Sequence, residues 1–226
     1  MSEIIWKPSE EMVEKANVTR FMRKHGISSY EQLVERSVQD IEWFWPAMLE
    51  DCGVEWFRKF DRLYDTGSSR SFEWTRWFIG GRLNIAHNSL VRHARDPERA
   101  KSVAFIWECE DGRTGSMTYA ELDRESNRFA NLLRSLGLNR GDTVGFYLPM
   151  IPELMVAFWG CLKAGCPFVP VFSGFGEAAL AVRMEDAEVK LMVCADASLR
   201  RGKKVELLST CQSVADKVPT IKNLLI

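Results

Sequence analysis

From about residue 102 onward, short runs of β-branched and aromatic residues alternate with segments of helical periodicity, and this alternation limits the fold more than any other feature. Candidate strands are residues 102–109, 143–148, 167–172, 190–194 and 222–226. The first two are separated by Thr118-x-x-Glu121, a capping box, then by an apolar face of Leu122, Phe129, Leu133 and Leu136 that closes at Gly137. Further helical segments are expected from about Pro152, Glu177 and Lys203. Strands joined by units of 15 to 30 residues that contain a helix imply right-handed crossovers and a mainly parallel sheet covered on both faces. The fold class is therefore α/β, with a mainly parallel sheet flanked by helices.

Residues 1–100 read differently, as a helical, aromatic-rich region packing on an α/β subdomain of residues 101–226. Ser9 can cap a helix that stops at Gly26. Ser37 can cap a second, whose apolar positions Ile41, Phe44, Trp45, Met48 and Leu49 follow helical spacing, with Pro46 absorbed as a kink. The stretch Asp65-Thr-Gly-Ser-Ser-Arg-Ser71 is a loop by composition, and residues 83–95 read as helix. His87 and His93 lie six apart on different faces of that helix, which favours structural or exposed roles.

Composition removes several classes. With 46% apolar and 27% charged residues the chain is neither disordered nor a disulfide scaffold. Thirty basic against thirty-one acidic residues leave a net charge of −1, so any anion site must be local. The six cysteines are scattered without a Cys-x-x-Cys pair, and with three histidines they offer no metal-ligand spacing; a reducing cytoplasm is expected. The opening Met1-Ser-Glu-Ile-Ile-Trp-Lys-Pro8 lacks a signal-peptide pattern, and the apolar stretch 143–172 is too often interrupted by proline and charge to span a membrane. Neither nucleic acid nor membrane is an expected partner.

Two loops invite chemistry, because ligands of open parallel sheets bind beyond the strands' carboxyl ends. In Val171-Phe-Ser-Gly-Phe-Gly-Glu-Ala178 a strand runs into Gly174 and Gly176 just before a helix, an arrangement that serves either a flexible turn or an anion on free helix amides. In Asp196-Ala-Ser-Leu-Arg-Arg-Gly-Lys-Lys204 four cations fall within five residues, as a solvated loop or as a phosphate contact. Both loops follow strands of one parallel sheet, so both emerge on one edge, and together they suit a nucleotide bearing phosphates. Gly174-Phe-Gly176-Glu-Ala-Ala179 with Asp196 also fits a dinucleotide fingerprint, which leaves an NAD-binding Rossmann-type domain or a non-catalytic nucleotide-binding module as alternatives. A Gly-x-x-x-x-Gly-Lys phosphate loop, a Gly-x-Ser-x-Gly elbow and a His-Glu-x-x-His helix are all absent from the sequence.

A series of short motifs then appears in order: Trp77-Phe-Ile-Gly-Gly-Arg-Leu-Asn-Ile-Ala-His-Asn88, Met117-Thr-Tyr-Ala-Glu-Leu122, Gly141-Asp-Thr-Val144, Leu148-Pro-Met-Ile-Pro-Glu153, Val171-Phe-Ser-Gly-Phe175 and Arg200-Arg-Gly-Lys203. The series resembles the N-terminal part of AMP-forming acetyl-CoA synthetases and their short-chain acyl-CoA and acetoacetyl-CoA relatives, in the adenylate-forming superfamily. The resemblance implies a ligase that converts a short-chain carboxylate, ATP and CoA, with Mg2+, to acyl-CoA, AMP and pyrophosphate through an acyl-adenylate. It implies that Phe172, Ser173 and Gly174 lie against the CoA adenine, and that Arg200, Arg201, Gly202 and Lys203 form the basic segment that meets CoA phosphates. Ser173 stands where relatives often have a second glycine, and Gly176 where many have Ser or Thr. The family's ATP phosphate loop, its Thr-Glu magnesium motif, its ribose-binding Asp and its C-terminal catalytic Lys do not occur here, so the chain reads as an incomplete adenylate-forming domain, with the remaining domains as partners and no catalytic residue of its own.

On this reading the 226-residue chain alone is expected to show no carboxylate-dependent exchange of pyrophosphate into ATP. Robust exchange by a pure preparation would overturn it.

Overall fold

The computed structural model describes residues 5–67 and 72–226, so Met1 to Ile4 of the opening segment and Ser68 to Ser71 of the expected loop lie outside the described residues. The chain divides into two compact units, Met1–Leu83 and Asn84–Ile226. That division precedes the change of sequence pattern near residue 100, because the helical segment 87–95 packs on the second unit's own long helix.

In the first unit, α1 (Glu10–Lys15) and α2 (Asn17–Lys24) replace the single expected helix, broken at Ala16, which takes extended dihedrals. Ser9 caps α1 by accepting from the Met12 amide, and the run ends at Gly26 with φ +64°. Ser37 is not a cap: it lies inside α3 (Tyr30–Gln39), where its hydroxyl donates to the Val34 carbonyl. Asp40 caps α4 (Ile41–Asp51) instead, accepting from the Trp43 amide, and Pro46 sits within that helix. Phe21, Ile27, Leu33 and Ala47 form the small core. The strands β1 (Arg62–Asp65) and β2 (Arg76–Ile79) make an antiparallel ribbon that the sequence reading did not anticipate.

The second unit opens with a π-helical turn His87–Val91 and α5 (Arg92–Arg95). Its first two strands, β3 (Val103–Glu108) and β4 (Thr114–Thr118), pair antiparallel in a ribbon apart from the main sheet. Five residues join them, too few for the crossover a parallel pair needs, so residues 102–109 do not enter the parallel sheet as the alternation suggested. Thr118 and Glu121 then form both halves of the capping box at the start of α6 (Tyr119–Ser135).

The main sheet contains β5 (Val144–Tyr147), β6 (Phe168–Pro170), β7 (Leu191–Cys194) and β10 (Asn223–Leu225), all parallel, in the order β10-β7-β5-β6. Its connections are α7 (Pro152–Ala164), α8 (Glu177–Asp186), and, between β7 and β10, a ribbon of β8 (Ala197–Arg200) and β9 (Lys203–Glu206) followed by α9 (Leu208–Lys217). Lys203 therefore begins a strand, and the expected helix starts five residues later at Leu208, where the apolar positions Cys211 and Val214 begin to face the sheet.

Alternation along the central strands sorts side chains into two cores. Val144, Phe146, Leu191 and Val193 pack with Leu133 of α6 and Ala157 and Cys161 of α7. Tyr147, Met192 and Cys194 pack with Leu180 and Met184 of α8 and Cys211 and Val214 of α9 on the opposite side. Every residue of β5 and β7 is buried, and each large apolar side chain so buried contributes roughly 1.5–3 kcal/mol. Gly145 on β5 lets α8 lie close, since a Cβ there would collide with the Met184 sulfur. Between α6 and α7, Lys163 donates to the Asp123 carboxylate at 2.6 Å and to Asn127 Oδ1 at 2.9 Å, an ion pair mostly shielded from water. Burial lowers the Lys163 pKa and Asp123 opposes that shift.

Replacing Thr118 by Ala is expected to cost about 1 kcal/mol in urea denaturation. The Thr118 amide and hydroxyl hold the Glu121 carboxyl below the ordinary glutamate range, so this interaction stabilises the fold above that range and is lost as pH falls through the lower folded value. Glu121→Gln should flatten that part of the acid stability profile, and an unchanged profile would refute the assignment.

Candidate functional site

The chain runs from β5 outward to β6, then returns past β5 to β7, so the connections leaving β5 and β7 diverge. Their divergence opens a crevice at the carboxyl ends of the two strands, the position where open α/β sheets bind ligands. A cavity of about 630 Å³ lies there. Its apolar wall comes from Phe146 and Leu148 at the end of β5, Ile151 and Leu154 at the start of α7, and Pro170 at the end of β6. Phe172 and Ser173 from the following loop, Arg200 and Lys204 from the β8–β9 ribbon, and the turn from Glu108 to Arg113 complete the rim.

The basic segment is a hairpin, where composition alone suggested an irregular loop. Arg201 (φ +53°) and Gly202 (φ +72°) form its two-residue turn, with both residues in the left-handed region that such a turn requires. Arg200 pairs directly with Lys203 across the ribbon, which sets the two cations side by side. The turn is held from the β3–β4 connection, where Glu110 Oε1 accepts from the Gly202 amide at 2.8 Å.

Arg200 crosses to the other loop. Its guanidinium carbon stands 5.2 Å from the centre of the Phe172 ring, and its Nη1 lies so close over Gly174 that a Cβ there would collide with both Arg200 and Phe172. Phe172, Ser173, Gly174 and Arg200 thus converge, whereas Arg201, Gly202 and Lys203 form the hairpin tip beyond the cavity wall. No carboxylate of the described residues lies within 4.0 Å of Arg200, Arg201 or Lys203. The other rim cations are committed: Arg113 pairs with Asp111 at 2.8 Å, and Lys204 pairs with Glu206 at 2.8 Å, which raises the lysine pKa.

The glycines of the dinucleotide fingerprint follow the edge strand β6, away from the switch point between β5 and β7. Gly176 is the N-cap of α8, and the Asp196 carbonyl accepts from Leu207 and Leu208 while its carboxylate accepts from the Ala197 amide. His93 lies elsewhere, 5.2 Å from the Tyr119 ring and 3.3 Å from an Arg99 nitrogen. Among the described residues no three metal-ligating side chains converge. No helix of these residues is long and apolar enough to cross a membrane.

The sequence reading passed over two contributors to this edge. Tyr147, on the last position of β5, donates its hydroxyl to the carbonyls of Ser173 and Phe175. Glu110 belongs to a ribbon remote in sequence. Neither carries a local motif, and only the tertiary contacts reveal them.

The chain is similar to known proteins. Residues 92–225 match the AMP-binding enzyme family, and residues 30–89 match the acetyl-coenzyme A synthetase N-terminus. Acetyl-coenzyme A synthetase of Methanothrix soehngenii is 34% identical over 98% of this chain and 33% of its own length. The 3-hydroxypropionyl-coenzyme A synthetase of Metallosphaera sedula is 37% identical over 89% of this chain and 29% of its own. The structure of acetoacetyl-CoA synthetase from Streptomyces lividans superposes with a TM-score of 0.90 at 26% identity, covering 99% of this chain and 35% of that one. The chain thus spans about a third of the length of the curated relatives it matches.

Two glycines with crowded surroundings should behave oppositely on substitution. Gly174→Ala displaces only the ends of two flexible side chains, so urea denaturation should change by less than about 1 kcal/mol, whereas Gly145→Ala overpacks the core and should cost roughly 1–3 kcal/mol. Equal losses in the two variants would contradict this account of the edge.

Proposed function

The chain belongs to the AMP-binding enzyme family and carries its acetyl-coenzyme A synthetase N-terminus, and from that premise we propose that its cavity edge binds CoA for an AMP-forming acid–CoA ligase. In that reaction a short-chain carboxylate attacks the α-phosphorus of ATP, giving an acyl-adenylate and releasing pyrophosphate. The CoA thiol then attacks the acyl carbon, and AMP leaves. Mg2+ accompanies ATP and supplies charge neutralisation at the phosphates. Among the described residues no group of three or more His, Cys, Asp or Glu side chains could hold it.

The observation that carries the proposal is the Arg200 guanidinium, without a carboxylate partner among the described residues, lying over the ring of Phe172 at the charged rim of a mainly apolar cavity. A flat adenine can stack on the half-exposed aromatic ring while phosphates accept charge-assisted hydrogen bonds from Arg200 and its cross-strand neighbour Lys203. Ser173 and Gly174 supply the close backbone beneath the base, and Arg201 and Gly202 set the turn that aims the two cations. The remaining domains of an adenylate-forming enzyme would be the partners that complete the ATP site. The six free cysteines suit a reducing cytoplasm.

Replacing both Arg200 and Lys203 by Ala should lower CoA affinity by about one to three powers of ten, from contacts worth roughly 1.5–3 kcal/mol each when ordered and less when screened. Calorimetric titration of CoA into the wild-type and doubly substituted chains measures this, with denaturation curves to show that the fold persists. Raising ionic strength should weaken wild-type binding. Unchanged CoA affinity in the double variant would reject the assignment.

A further inference from the structure

We infer that Tyr147 is a positioning residue for the loop 172–176, its buried hydroxyl fixing the backbone on which Phe172 and Arg200 are presented. The Tyr147 ring is almost wholly buried among Val171, Met192, Cys194 and Cys211 of the α8/α9 core. Its hydroxyl leaves that core at the carboxyl end of β5 and lies 2.7 Å from the Phe175 carbonyl and 3.1 Å from the Ser173 carbonyl. One O–H therefore serves two inward-facing acceptors, two residues apart, in the loop between the end of β6 and the N-cap of α8. The segment's other bonds are the turn contact from the Phe175 amide to the Phe172 carbonyl at 3.0 Å and, at its end, that from the Leu180 amide to the Gly176 carbonyl at 3.1 Å.

The outer side of the loop carries the ligand-facing groups. Phe172 holds Arg200, and Phe175 lies under the Arg183 guanidinium at 4.8 Å, with the two rings edge to face. Tyr147 is thus the only core side chain with a hydrogen bond into this segment among the described residues, and it couples the sheet to the ligand rim. Burial, with a smaller contribution from Cys211, pushes its phenol above the ordinary tyrosine value, so it stays a donor throughout the neutral range.

This inference rests on the CoA reading for its consequence in binding, and the loop restraint can be measured apart from it. Tyr147→Phe keeps the ring in the core and removes the donor. Chymotrypsin cleavage after Phe172 or Phe175, mapped by mass spectrometry, should then accelerate at this loop relative to wild type, and CoA binding to the 226-residue chain should weaken by about 3- to 10-fold. Arg200→Ala is the reference variant. If it weakens CoA binding while Tyr147→Phe changes neither binding nor cleavage, the positioning role is overturned and the CoA site stands. If neither variant changes CoA binding but Tyr147→Phe still accelerates cleavage at the loop, the restraint is supported and the CoA reading fails. Should Tyr147→Phe not fold, amide hydrogen exchange of the wild type decides: a Phe175 amide exchanging at the rate of an unstructured peptide overturns the restraint, and a protected one supports it.

Discussion

Two adjacent parallel strands with no exposed residue, β5 and β7, impose the rest of the second unit. A strand buried on both faces demands a helical layer on each side, because its side chains alternate and both sets are apolar. The helices α6 and α7 meet one set, and α8 and α9 meet the other. Gly145 shows how tightly the layers are matched, since the missing side chain is occupied by Met184. The chain can cover both faces only by leaving β5 in one direction and returning to β7 in the other, and that reversal opens the crevice. The cavity is thus a by-product of burying the sheet.

What distinguishes this crevice is its supports. The apolar wall is an extension of the two cores, whereas the polar rim consists of three connections that would otherwise be independent. Each has, beside its own turn bonds, a side-chain contact that ties it down: the glycine loop the Tyr147 hydroxyl, the basic hairpin Glu110, and the Asp111–Arg113 turn its own ion pair. These supports place charge sparingly. Most rim cations are already neutralised, and Arg200 is left to interact with an aromatic face and with whatever anion arrives. On the proposed CoA reading, that economy leaves one cation and one aromatic face for a nucleotide bearing several phosphates.

Legibility from sequence followed the range of the interactions involved. The capping box at Thr118, the cap at Ser9 and the five strand segments were readable, because their causes lie within a few residues. The cap at Ser37 was misread, since a serine can as easily bond back to a helix carbonyl, and Asp40 three residues on makes the better acceptor. The partnership of residues 103–108 was also misread: the segment is a strand, but a five-residue connection gave it an antiparallel neighbour outside the main sheet. Residues 203–206 looked helical from their continuation into α9, and pairing with Ala197–Arg200 made them a strand.

By itself the sequence determined the α/β class, the strand segments of the main sheet with the helices between them, and the two chemically suggestive loops, because periodicity, caps and glycine placement are properties of neighbouring residues. It also carried, in its ordered motifs, the resemblance that the comparisons bear out. Tertiary structure decided that Arg200 reaches Phe172, that Lys203 stands beside Arg200 across a hairpin, and that Tyr147 and Glu110 hold the two loops. Apart from the Arg200–Lys203 pair, which faces itself across one turn, those contacts join residues 26 to 92 positions apart along the chain. They exist only after the buried strands have fixed where each loop emerges, which is why no local pattern announces them.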